Sequence, residues 1–171
     1  MQPLDHYDVL IRAREDLLNA VGQLSAEQYA REFPFGLKTV RATLVHLAHA
    51  EWLHGRMGRV EDVATEPRPF TEERYPEFAP LRSAWKELEP GTRDWLASEV
   101  DWNRRLETTV RRSNGSMVHI GFTPEKLAFQ LFYHEVHHRA QAMAMLRQMG
   151  VAAQNLDFNR YTFEWTELPP A

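Results

Sequence analysis

The sequence contains no cysteine, which excludes disulfides, thiolate metal sites and a cysteine nucleophile. Basic residues are not in excess: the formal net charge is −4, so nothing draws the chain generally to phosphate backbones or anionic membranes. The eight histidines add positive charge only below neutral pH and make no basic face. Long apolar runs are missing as well; none approaches the ~20 residues a membrane helix needs. The start, Met1-Gln2-Pro3-Leu4-Asp5-His6, has neither the basic opening nor the apolar stretch of an export signal. The expectation is a soluble protein of the cytoplasm, with neither nucleic acid nor a membrane as partner.

What is present is ordinary globular composition, 43% hydrophobic and 26% charged over 171 residues, which predicts one domain over residues 1–171 with a real core. Leu4, Tyr7, Ile11, Leu17, Val21 and Leu24 recur at helical spacing and predict a first helix. Ser25-Ala26-Glu27-Gln28 is a capping-box pattern for a short extra turn. Thr39 is a candidate N-cap for a second helix reaching about Met57 and Gly58. Val60 to Pro76, with Pro67 and Pro69, reads as a surface loop. A third helix is expected from near Glu77, kinked or split at Pro90-Gly91 before Trp95 and Leu96.

From Leu106 to Gly121 the pattern changes to alternation around Ser113-Asn114-Gly115-Ser116, the signature of a β-hairpin. The last helix has Thr123 as N-cap, Pro124 at its first position and Gly150 at its end. Phe158, Tyr161, Phe163 and Trp165 suggest that the first half of the tail packs back on the helices. The expected fold class is all-α: an up-down-type four-helix bundle with a small hairpin before the last helix.

His134 and His138 lie four apart on that last helix, on one face with Leu127, Leu131, Gln141 and Met145. Imidazoles buried among leucines need partners, because each unpaired polar group costs roughly 1–3 kcal/mol. A single histidine in such a place is ordinarily bonded to backbone or carboxylate. An i, i+4 pair with an inward histidine on a facing helix instead points to a metal ion. His46 and His49 both point roughly inward on the second helix, and spacing does not choose between them.

The stretch Leu44-Val45-His46-Leu47-Ala48-His49-Ala50-Glu51-Trp52, with His134-Glu135-Val136-His137-His138-Arg139-Ala140-Gln141, resembles the DinB family of DinB/YfiT-like metalloenzymes. Its second helix carries a histidine followed five residues later by a glutamate, matched by His46 and Glu51. Its last helix carries H-x-x-x-H-R-G-Q, then a leucine-arginine stretch and a glycine, matched by His134, His138, Arg139, Gln141, Leu146, Arg147 and Gly150. The similarity covers nearly the whole chain, including helix order, the hairpin and Asp157. Ala140 stands where glycine is usual, and Pro90-Gly91 interrupts a helix usually continuous. The resemblance implies His46, rather than His49, as the third ligand beside His134 and His138.

Three imidazoles leave an open position, the arrangement of a catalytic rather than a closed structural site. One divalent ion is expected, zinc or nickel first, with iron and cobalt also suited; on zinc, bound water reaches a pKa of about 7. Gln141 is the candidate catalytic residue, binding substrate or metal-bound water, or else making a helix–helix hydrogen bond. Glu51 and Glu135 are either outer partners of the ligands or solvated helix positions. The resemblance further implies a transferase using a low-molecular-weight thiol cosubstrate, which suits a chain lacking cysteine, or another metal-dependent reaction on a small molecule such as hydrolysis.

Two rivals stand beside it. His134-Glu135-Val136-His137-His138 satisfies H-E-x-x-H, a zinc-protease motif in which the glutamate is the base, with Asp157, Glu164 or Glu167 as downstream ligands. A non-catalytic protein that stores, senses or is fastened by the metal is the other. Arg104, Arg105, Arg111 and Arg112 around the hairpin form either a solvated face or a receptor for an anionic substrate. Phe129, Phe132, Val136 and Met143 lie off the histidine stripe, so the last helix is either central or part of a homodimer interface. Trp52 and Trp85 are candidates to line the pocket.

Overall fold

A computed structural model describes residues 2–112, 114–152 and 154–166. Its elements in chain order are α1 (Pro3–Val21), α2 (Ala26–Tyr29), α3 (Val40–Gly58), α4 (Phe78–Lys86), α5 (Glu89–Ala97), β1 (Leu106–Arg111), β2 (Met117–Phe122), α6 (Pro124–Gln148) and α7 (Phe158–Thr162). Local chemistry sets most of these boundaries. Ser25 and Gln28 close a reciprocal capping box over α2. The Thr39 hydroxyl accepts from the Ala42 N–H at 2.9 Å to start α3, and Thr123 accepts from Lys126 to start α6. Gly150, at φ +75°, stops α6 in the left-handed conformation that glycine adopts freely.

The hairpin is an antiparallel pair in which Leu106 faces Phe122 and Val110 faces Val118. Its turn carries Asn114 and Gly115, the latter at φ +85°; Ser113 lies outside the described residues. The tail packs as expected: Tyr161 donates its hydroxyl to Asp16 at 2.7 Å, and Arg12 donates to the Tyr161 carbonyl. Among the described residues no helix is long and apolar enough to cross a membrane.

The expected up-down-type four-helix bundle does not form. Two apolar cores show how the helices run. One contains Leu17 of α1, Leu44 of α3, Leu81 and Trp85 of α4, and Met145 and Leu146 of α6. The other contains Tyr7 and Leu10 of α1, Met57 of α3, Trp95 and Leu96 of α5, and Leu127 and Leu131 of α6. Thus α3 and the α4–α5 pair both run from the first core to the second, while α1 and α6 run the other way. Directions do not alternate, and the third member is two nine-residue helices.

Both features have causes in the chain, and the split is the one expected near Pro90-Gly91. Pro90, in the first turn of α5, has no N–H to continue the ladder, and its ring crowds the carbonyl four residues back. The segment from Val60 to Pro76, expected to be a surface loop, instead travels back along the molecule. Val63 is buried in the second core and Phe70 in the first, each 4% exposed. Such a crossover lets consecutive helical segments run in the same direction.

Gly58 closes α3 against Trp95. A Cβ built there would stand 2.2 Å from the indole ring, a rigid neighbour with little room to move. Gly58→Ala is expected to lower unfolding free energy by roughly 1–3 kcal/mol through overpacking, read as an earlier denaturant midpoint at unchanged slope.

Candidate metal centre

Between the two cores, α1, α3 and α6 each carry polar residues at the same level: Arg14 on α1, His46 and Glu51 on α3, and His134, Glu135, His138 and Arg139 on α6. The helical repeat sends these in two directions. His46, His134 and His138 converge, with one ring nitrogen of each lying within 4.8 Å of the others. His46 Nε2 and His134 Nε2 stand 3.0 Å apart, and the His138 ring centroid is 4.6 Å from each of the other two. His49 is outside this group; it stacks on Trp52 at 5.4 Å.

The donor set fits a divalent metal. Three nitrogens bound at ~2.0–2.1 Å around a tetrahedral ion stand roughly 3.3 Å from one another, and the separations of 3.0 to 4.8 Å bracket that value. Burial is the main force holding the imidazoles neutral, lowering His46 to about 4 and His134 to about 3; His138 is lowered for the same reason. Neutral rings offer lone pairs at pH 7 without first losing a proton. His46 and His134, but not His138, line a cleft of about 710 Å³.

Gln141 joins the centre from one side. Its Oε1 lies 2.9 Å from His138 Nδ1 and its Nε2 lies 3.0 Å from His137 Nε2. An amide oxygen only accepts, so the His138 Nδ1–H donates to it and leaves the Nε2 lone pair free. Gly36, at φ +58°, packs on this amide so closely that a Cβ would come 2.9 Å from Gln141 Oε1. Among the described residues Gln141 makes its hydrogen bonds within α6 and not to another helix. Gln141→Leu is expected to weaken metal binding about 10–100-fold, the usual cost of losing such an orienting bond. A competition titration against a chelator measures it.

Glu51 and Glu135 are neither solvated nor bonded to the three histidines. Both are buried, 1% and 3% exposed, as is Arg14 at 1%. Arg14 bridges them, 2.6 Å from Glu51 Oε2 and in a two-pronged contact with Glu135. Glu51 also accepts from the Tyr7 hydroxyl and from Trp85 Nε1, the latter at 2.7 Å. Sequence reasoning misses Arg14, although Leu10, Arg14, Leu17 and Val21 share one stripe of α1 and an arginine there needs carboxylates. Trp85 is core, 1% exposed, whereas Trp52 lines a small recess beside the cleft.

The proline-rich segment and the hairpin wall the cleft. Arg68, Arg111 and Arg112 line it, and so does His54. His54 is 8% exposed, and its Nδ1 has no partner among the described residues. The expected arginine group divides. Arg105 pairs with Glu107 at 2.9 Å on the hairpin, and Arg104 is exposed away from the cleft lining.

Three clustered imidazoles from two helices, placed as His46 and the H-x-x-x-H pair of α6, agree with a comparison against family models, in which the DinB family model matches residues 2–167. The chain belongs to the DinB family. No curated protein matches it. For a DinB-family chain the protease geometry has a specific obstacle: the would-be base, Glu135, is held by Arg14 and buried. Of the downstream carboxylates that reading requires, Asp157 and Glu164 are not gathered with the histidines, and Glu167 lies outside the described residues.

Proposed function

We propose that this DinB-family protein is a metal-dependent enzyme acting on a small molecule, as a thiol-dependent transferase or a hydrolase. The ion is zinc or nickel, held by His46, His134 and His138. The observation that carries this reading is three neutral imidazoles gathered within 4.8 Å, two of them facing an open cleft. When bound, the ion supplies Lewis acidity at the cleft wall. His138 is oriented by Gln141, which acts as a positioning residue. The protein matrix around the rings excludes water from their far sides and keeps them unprotonated. A cytoplasmic setting, where small thiols are kept reduced, suits a chain that brings no thiol of its own.

The oligomer is proposed to be a homodimer. Phe129, Tyr133, Val136 and Phe158 stand 45–71% exposed on one side of α6 and α7, a face a second copy would cover. Light scattering should then give twice the 20.0 kDa chain mass.

Calorimetric titration of chelator-treated protein with zinc or nickel tests the central claim. One equivalent should bind, and the ion at 100 times its dissociation constant should raise unfolding free energy by about 2.7 kcal/mol. The loaded protein is then assayed for addition of a small thiol to an electrophile and for hydrolysis of small amides and esters. Absence of both uptake and stabilisation would sink the metal reading. Uptake without activity, and no response to thiols, would leave a non-catalytic metal protein.

A further inference from the structure

We propose that the small molecule received by the histidine cleft is an acid, whose carboxylate or phosphate group is held by Arg68, Arg111 and Arg112. This names the substrate class for the site proposed above and rests on that reading. The three arginines come from separate places, Arg68 from the crossover segment and Arg111 and Arg112 from the end of β1 and its turn. They nonetheless line the same cleft of about 710 Å³ as His46 and His134. They also line the neighbouring recess of about 180 Å³ beside Trp52, so they stand together where the two spaces meet. Among the described residues none of the three makes an ion pair.

The acidic groups nearby are largely committed. Glu72 on the cleft wall accepts from Arg41 at 2.8 Å. Glu66 in the recess pairs with Arg56 at 3.6 Å, and Glu51 is sequestered by Arg14. Among the described residues Glu73 is left as the lining carboxylate without an arginine, against three guanidinium groups. The concentration of positive charge is local, because the chain as a whole carries −4. Like charges gathered at one mouth repel one another and raise the potential there, which an incoming anion relieves. Guanidinium groups match the paired oxygens of carboxylates and phosphates as forks, a geometry lysine cannot offer. The hairpin thus brings charge to a cleft whose floor is imidazole and aliphatic.

The test uses cobalt-substituted protein and thiols that differ in the charge of the tail: 3-mercaptopropionate, 2-mercaptoethanesulfonate, 2-mercaptoethanol and cysteamine. Cobalt absorption bands report occupancy of the metal site, and thiol-to-cobalt charge-transfer absorption reports each dissociation constant. The two anionic thiols should bind at least about tenfold more tightly than mercaptoethanol, and cysteamine most weakly. Added salt should narrow the gap. Cysteamine has the most acidic thiol of the series, so an order set by thiol ionisation alone would run the other way. Preference for the planar carboxylate or the tetrahedral sulfonate tells whether the natural group is carboxylate or phosphate-like.

The preference should collapse in Arg68→Ala and in the double variant Arg111→Ala, Arg112→Ala, while cobalt affinity stays unchanged. Arg105→Ala, on the hairpin but paired with Glu107, should keep it. Cobalt bound without any charge order, or an order that survives the arginine variants, overturns this inference alone. No cobalt bound overturns the metal reading and this inference with it.

Discussion

Purified His46→Ala protein is expected to hold almost no metal after dialysis against a chelator, where wild type holds about one ion per chain. His46 is the ligand that α3 contributes; without it the i, i+4 pair on α6 remains as a two-nitrogen grip. If three imidazoles share a binding free energy on the order of 10–16 kcal/mol, losing one removes at least 3 kcal/mol, more than a hundredfold in affinity. His134→Ala and His138→Ala should behave alike. His49→Ala should not, because its ring stacks on Trp52 outside the cluster. Metal content by mass spectrometry separates these cases. Retention in His46→Ala with loss in His49→Ala would mean that the other inward histidine of α3 is the ligand, and the centre described above would be wrong. Glu135→Gln should keep its metal, since that carboxylate serves Arg14.

The parts of this molecule that are legible in sequence are those governed by local chemistry. Ser25, Thr39 and Thr123 act within three residues of themselves, and Asn114-Gly115 acts within its turn, so caps and hairpin can be read directly. The i, i+4 spacing of His134 and His138 likewise follows from one helix's repeat. The relative direction of helices does not. It depends on whether the segment over residues 59–77 turns back at once or crosses the molecule, and that is decided by Val63 and Phe70 finding different cores. Two apolar residues among prolines and charges carry no periodicity to announce this.

The same distinction runs through the site. His46 and His49 are equivalent by spacing, and family resemblance, not geometry, implies the choice between them at the level of sequence. Arg68 is invisible there as a cleft residue because it lies in a proline-rich segment with no face of its own. Arg111 and Arg112 are visible as charge but not as neighbours of Arg68, since the hairpin's placement over α3 is a long-range event. For Glu51 and Glu135 the sequence points to the right level of the molecule and the wrong partner. Each is close in sequence to a histidine of the cluster, yet a rotation of a hundred degrees or so per residue turns it far enough round its helix to meet Arg14 instead.

The Arg14 cluster carries the second large effect. Arg14→Met is expected to lower unfolding free energy by about 3–5 kcal/mol, the cost of breaking a buried ion cluster from one side. Burial alone would work against the Arg14 charge, but Glu135 and Glu51 keep the guanidinium firmly protonated, and it also lies 4.4 Å over the Trp85 ring. Removing it leaves two buried carboxylates facing one another, with Arg139 a distant 3.8 Å contact to Glu135. For a chain of this size the loss corresponds to roughly 6–20 °C in melting temperature at 2–4 °C per kcal/mol. Mere loss of packing would give a different pattern, so the triple variant Arg14→Met, Glu51→Leu, Glu135→Leu is decisive. With these three charges gone, no buried carboxylates are left facing one another, and much of the stability should return, less the share lost as Arg139 gives up its 3.8 Å contact with Glu135. An Arg14→Met protein within about 1 kcal/mol of wild type would sink the idea that the cluster braces α1 against α3 and α6. Recovery in the triple variant together with full metal content would show that the histidines need only the helix spacing, which an apolar brace also supplies. Recovery without metal would give Arg14 a finer role, that of setting α3 and α6 at the separation His46 and His134 require.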